Sequence, residues 1–170
     1  SDSVAPTVRA KALFAAGVLA EQDFATADGQ KAFEECIAIA RSLGPGGKPL
    51  VALALVYGMF FERVHDIQAA RAHVAEATQL AAEAHDPWVS GNVLMAQGIV
   101  ASFGGDFRAA QIYFEDCIRL VRVSGSILLR AVAEGNLGNA FCRQGRFAEA
   151  RSHYAEAASL QRAMRTKNTL

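Results

Sequence analysis

The sequence predicts an all-helical fold made of four successive helix pairs, and three observations carry that expectation. Glycines recur at Gly17, Gly58, Gly98 and Gly138, spaced by 41, 40 and 40 residues. They lie in stretches whose apolar residues step by three and four, as along one face of a helix. Each glycine is followed sixteen residues later by a larger apolar residue, Phe33, Val74, Phe114 or Tyr154. Small residues follow at twelve (Gly29, Ala70, Ala110, Ala150) and nineteen (Cys36, Ala77, Cys117, Ala157). Finally, a chain of 170 residues that is 52% apolar and rich in alanine can bury a continuous, tightly packed helical core.

The glycines demand a physical reason. Each costs roughly 0.5–1 kcal/mol relative to alanine inside a helix, so four in register require a compensating gain. The expected gain is close approach, with the second helix of each pair seating its bulky residue directly on the glycine backbone. The small residues would permit the same contact from the opposite side.

The elements follow in order. Residues 1–7 form a polar lead-in with Thr7 as a helix cap, and the first pair is expected over 8–22 and 26–43. Gly44-Pro45-Gly46-Gly47-Lys48-Pro49 must break the chain. The second pair runs over 50–64 and 67–84 around His65-Asp66, and ends at His85-Asp86-Pro87 because the residue before proline avoids helical geometry. The third occupies 88–103 and 107–123 around Gly104-Gly105-Asp106. After Ser124-Gly125-Ser126 the fourth covers 127–144 and 147–164, with a polar tail expected to fray from Arg165. The repeats so defined are 8–44, 50–85, 88–124 and 127–165, one repeat domain followed by the tail 166–170.

Within the fourth unit, Asn136-Leu137-Gly138, Phe141, Gly145, Ala150, Tyr154 and Ala157 resemble the tetratricopeptide repeat pattern. Gly98, Gly105, Phe107, Ala110 and Phe114 match it as well. The Gly58 unit matches less fully, and the Gly17 unit departs from it, with Gly29 at the usual alanine position and an altered turn. A period of 40, against 34 for the common repeat, is similar to the long helical repeats of bacterial signal-transduction ATPases and transcription activators of the MalT type.

The resemblance implies a right-handed solenoid with an extended concave binding surface. By resemblance, that surface is lined by Lys11, Phe14 and Val18; Leu55, Met59 and Glu62; Asn92, Met95 and Ile99; and Asn139 and Cys142, with Val132 and Gly135 beside the last two. It further implies a non-catalytic scaffold for a protein or peptide partner, or for other domains of a longer parent chain, in bacterial signal transduction or transcription regulation. A different class of function is a sensor holding a small inducer in the apolar middle of the groove. Leu160 and Met164 carry an apolar stripe along the last helix, where self-association is the expected consequence.

Composition and motifs narrow the remaining classes. Net charge is zero with a pI near 6.9, which does not suit a nucleic-acid-binding segment. Residues 1–100 carry 7 basic against 11 acidic side chains and residues 101–170 carry 10 against 6, read as solvated helix faces or as matching charges for a neighbour. Pro87 to Gly105 has no charge, yet it contains Ser90, Asn92, Gln97 and Ser102 and fits the repeat, so a buried helix is expected and not a membrane span. Three cysteines without a pairing pattern, and no signal peptide, suggest a reducing cytoplasm; Ser1 in place of methionine suggests a tag-derived start.

Catalysis and metal binding find little footing. The glycine-rich loop before Lys48 lacks the first glycine and the Ser/Thr of a phosphate cradle and follows no strand. His65, His73, His85 and His153 form no zinc spacing. Cys142 has a cationic neighbour in Arg143 but no adjacent base. The carboxylate pairs Glu34-Glu35 and Glu115-Asp116 occupy matching repeat positions, which places them on an outer face. No enzyme activity, cofactor or metal is expected.

Overall fold

The computed structural model describes residues 5–22, 26–62 and 66–167, with the side chains of 21, 22, 26, 60–62 and 167 outside that description. Among the described residues there are eight helices and no strand. They are α1 (Pro6–Gln22), α2 (Thr26–Ser42), α3 (Lys48–Glu62), α4 (Ile67–Ala84), α5 (Pro87–Phe103), α6 (Phe107–Ser124), α7 (Ile127–Arg143) and α8 (Phe147–Lys167). The chain groups into two compact units, Ser1–Val89 and Ser90–Leu170.

Local chemistry sets the ends of these helices. Asp66 accepts from the backbone N–H groups of Gln68 and Ala69 at 2.9 and 3.0 Å, Asp106 from that of Ala109 at 2.9 Å, and Ser126 from that of Leu129 at 3.4 Å. Each oxygen satisfies donors that a first helical turn leaves unpaired. Asp86 does the same for Trp88 and Val89 at the start of α5.

Between α2 and α3, Gly44–Gly47 form a single 3-10 turn. A side chain at Gly47 would drive into the Ala40 carbonyl oxygen, which is why the loop needs glycine there. Lys48 then enters α3 and pairs with Glu83 of α4.

Two expectations at the ends of the chain need correction. Thr7 lies inside α1, not at its cap. The helix starts at Pro6, whose fixed φ and missing N–H suit a first turn, and the N–H groups of Val8 and Arg9 bond to Ala5. The tail does not depart at Arg165, since α8 continues to Lys167 with Thr166 Oγ1 bonded to the Arg162 carbonyl at 3.1 Å.

Within the first unit, α1 packs on α2, α2 on α3 and α3 on α4. Phe33, Cys36, Ala10 and Ala54 form its buried centre, joined by Phe14 and Tyr57. Phe14 meets Phe33 edge-on at 5.8 Å and Tyr57 at 5.4 Å, arrangements that suit ring quadrupoles.

Within the second unit, α6 packs on α7 and α7 on α8 around Phe114, Cys117, Val121, Leu137 and Phe141. The Cys117 thiol donates to the Gly91 carbonyl at 3.3 Å. Gly91 itself lies tight against Val121 and Leu129.

Three of the four repeated glycines do what their spacing predicts. A Cβ on Gly17 would fall 2.7–2.9 Å from the Phe33 ring, one on Gly138 would fall 2.7–3.2 Å from the Tyr154 ring, and one on Gly98 would collide with the Phe114 ring. Gly58 differs. Its nearest atoms, at 3.7–3.9 Å, belong to Phe33, and none of them belongs to Val74. Valine is too short to reach across the pair as a ring does.

Candidate functional site

Each unit carries a cleft of about 300 Å³ at equivalent repeat positions. In the first unit it lies between α2, α3 and α4, lined by Phe33, Glu34, Ile37, Arg41, Ala54, Leu55, Gly58 and His73 among others. In the second it lies between α6, α7 and α8, lined by Glu115, Ile118, Arg119, Arg122, Glu134, Leu137 and His153. Glu34, Ile37 and Arg41 recur 81 residues on as Glu115, Ile118 and Arg122. Ala54 and His73 recur 80 residues on as Glu134 and His153.

The second-unit cleft has a charged floor. Glu134 is 2% exposed, a position at which a carboxylate persists only with partners. His153 Nδ1 lies 2.8 Å from Glu134 Oε2, Arg130 Nε 3.8 Å from Oε1, and Arg122 Nη2 4.0 Å from Oε1. Arg130 also pairs with Glu156 at 2.5 Å, and the His153 ring stacks on Phe141 with centroids 5.2 Å apart. The carboxylate can only accept when ionised, so the His153 tautomer that fits carries its proton on Nδ1.

The first-unit cleft is apolar at its base. Ala54 stands where Glu134 stands, Leu50 where Arg130 stands, and Gly58 is half-buried while Gly17, Gly98 and Gly138 are fully buried. Its rim is polar. Arg41 pairs with Glu76 at 2.6 Å, and Gln30 donates to Glu34 at 3.2 Å.

The residues expected in a concave groove are distributed unevenly. Lys11 is exposed on α1, whereas Phe14 and Val18 pack half-buried on the first-unit core. Leu55, Met59, Asn92 and Met95 are buried, so they offer no open surface to a partner. For Met95 the cause is visible: α7 lies over it within the second core, and the Asn136 amide donates to its sulfur at 3.6 Å. Ile99 is half-buried against the same core. The side chain of Glu62 lies outside the described residues, as does His65.

Asn139 and Cys142 are exposed on α7, and Asn139 accepts from the Tyr154 hydroxyl at 2.8 Å. With Leu128, Val132 and half-buried Gly135 they form an open stripe along one face of α7. That face is the part of the expected groove that the structure leaves accessible.

The thiols divide by environment. Burial pushes Cys117 up to about 12 and Cys36 up to about 11, the latter eased by a hydrogen bond with the Phe14 backbone. Both are packing residues, while Cys142 is exposed. Burial of its ring face also raises the Tyr154 phenol, with the nearby Cys142 adding to the shift. Among the described residues no three His, Cys, Asp or Glu side chains converge as a metal centre requires, and no helix is long and apolar enough to cross a membrane.

Glu134 was not singled out by its sequence context. A signal existed nonetheless, because Arg130 precedes it by four on one helix face and His153 occupies the slot of His73. Compared with protein-family models the chain matches none, and no curated protein matches it significantly.

Proposed function

We propose that the chain is a non-catalytic interaction module: four tetratricopeptide-like pairs stacked as a right-handed solenoid, of the long-repeat kind found in bacterial regulatory ATPases and transcription activators. Its partner is an amphipathic helix or extended segment of another protein or of a longer parent chain, laid on the open face of α7. This reading joins the repeat pattern to one observation. On α5 the positions of Asn92, Met95 and Ile99 are buried or half-buried, whereas forty residues later the same positions on α7, with Leu128, lie open. Leu128 is 60% and Val132 41% exposed, four residues apart on one helix face, which is the spacing at which a partner helix presents its anchors.

An inducer held among Phe14, Leu55, Met59, Met95 and Ile99 receives less support, since Leu55, Met59 and Met95 are closed into the interior. The self-association reading of α8 rests on Leu160 and Met164, which are half-buried.

A peptide-display selection against the wild-type chain tests the proposal. Recovered peptides should carry apolar residues three or four apart and bind the Leu128→Glu/Val132→Glu double variant at least tenfold more weakly, with little change in melting temperature. Peptides that bind both proteins equally would move the contact surface elsewhere.

A further inference from the structure

The cleft between α2, α3 and α4 belongs to no part of the α7 reading, and its origin lies in a single missing ring. In three helix pairs an aromatic side chain sixteen residues after the glycine covers that glycine and buries it: Phe33 on Gly17, Phe114 on Gly98 and Tyr154 on Gly138. In the second pair the corresponding residue is Val74, which contributes none of the atoms nearest Gly58. Gly58 is the one of the four that stays half-open, and it lines a cleft of about 300 Å³ with Phe33, Ile37, Ala54 and Leu55.

The geometry points to this cleft as a binding site for a small aromatic molecule of the indole or phenol class, whose ring takes the place that the other pairs give to Phe or Tyr. The chemistry of the lining supports the choice. A bare glycine backbone admits the flat face of a ring where a branched aliphatic group would clash. The Phe33 ring borders the same space and can receive a ring edge. His73, Gln30 and the Arg41–Glu76 pair stand at the rim and supply hydrogen-bonding groups for one polar substituent, matching the pattern of an apolar site with a few polar handles. The equivalent cleft of the second unit is unsuited, because Tyr154 already covers Gly138 and Glu134 places a carboxylate at its base.

Titration of the full chain with indole, followed by protein-observed NMR, tests the inference. Saturable shifts are expected at Ile37, Ala54, Leu55 and Gly58, with cyclohexanol binding at least fivefold more weakly because it is thick and lacks a π face. Val74→Phe supplies the missing ring from within and should weaken indole binding at least tenfold. Ala38→Trp, at an exposed lining position, closes the mouth without entering the core and should do the same even if Val74→Phe fails to fold. Absence of saturable shifts at these residues, equal binding of cyclohexanol, or undiminished indole binding by folded Ala38→Trp would each overturn the assignment.

Discussion

The two clefts share a scaffold and differ in how it is filled. In the second unit a ring covers the glycine, and a buried carboxylate is held by His153 and flanked by Arg130 and Arg122. In the first unit Val74 replaces the ring, Ala54 the carboxylate and Leu50 the arginine, leaving an apolar hollow beneath a polar rim. The helices need only the repeated spacing to pack. What fills the slot between them is set independently by two or three side chains, so one architecture supports both a charged lock and an open pocket.

The sharpest way to break this comparison is Ala54→Glu. Ala54 is fully buried and has no equivalent of Arg130, so the new carboxylate should lower unfolding free energy by roughly 3 kcal/mol or more, read from denaturant midpoints. Stability close to wild type would mean that the first cleft accepts charge and that the contrast is false. The converse change, Glu134→Ala, leaves Arg130 paired with Glu156 and His153 still stacked on Phe141; a smaller loss of about 1–3 kcal/mol is expected from the hydrogen bond removed.

The glycines offer a second contrast. Gly98→Ala forces a methyl into the Phe114 ring and should cost about 1–3 kcal/mol by overpacking. Gly58→Ala meets only ordinary contacts at 3.7–3.9 Å, so it should be neutral or stabilise by up to about 0.5–1 kcal/mol through the lower helical cost of alanine. Paired thermal melts of the two variants would show opposite signs.

A smaller effect concerns pH. The Cys117 thiol stays protonated in the folded chain until about 12, whereas its ordinary value is 9.0. Above pH 9 the unfolded chain therefore binds fewer protons than the folded one, and stability falls as pH rises. At pH 10 the loss should be about 1.4 kcal/mol for this thiol, and Cys117→Ala should flatten the slope between pH 8 and 10. An unchanged slope would place the alkaline sensitivity elsewhere.

Much of the fold was legible because helix periodicity and turn chemistry are local. The breaks at Gly44–Pro49, Gly104-Gly105-Asp106 and Ser124-Gly125-Ser126 appear where expected, and Asp66, Asp106 and Ser126 cap as their types suggest. The seating of Phe33, Phe114 and Tyr154 on glycines was legible too, since repetition itself reports a shared contact. The groove was not: whether Met95 faces a partner or a neighbouring helix depends on where α7 lies, which no local pattern encodes. Glu134 escaped notice for the same reason, because a carboxylate on a helix reads as solvated until Arg130 and His153 are brought around it.

One more consequence follows from the placement of Cys142. It is the exposed thiol among the three, at the end of the open α7 stripe, while the other two are sealed inside and held protonated at neutral pH. A maleimide dye added to the unmodified protein would attach at one address, beside Asn139 and Val132. The chain thus comes with a built-in reporter, whose fluorescence would register the arrival of whatever docks there.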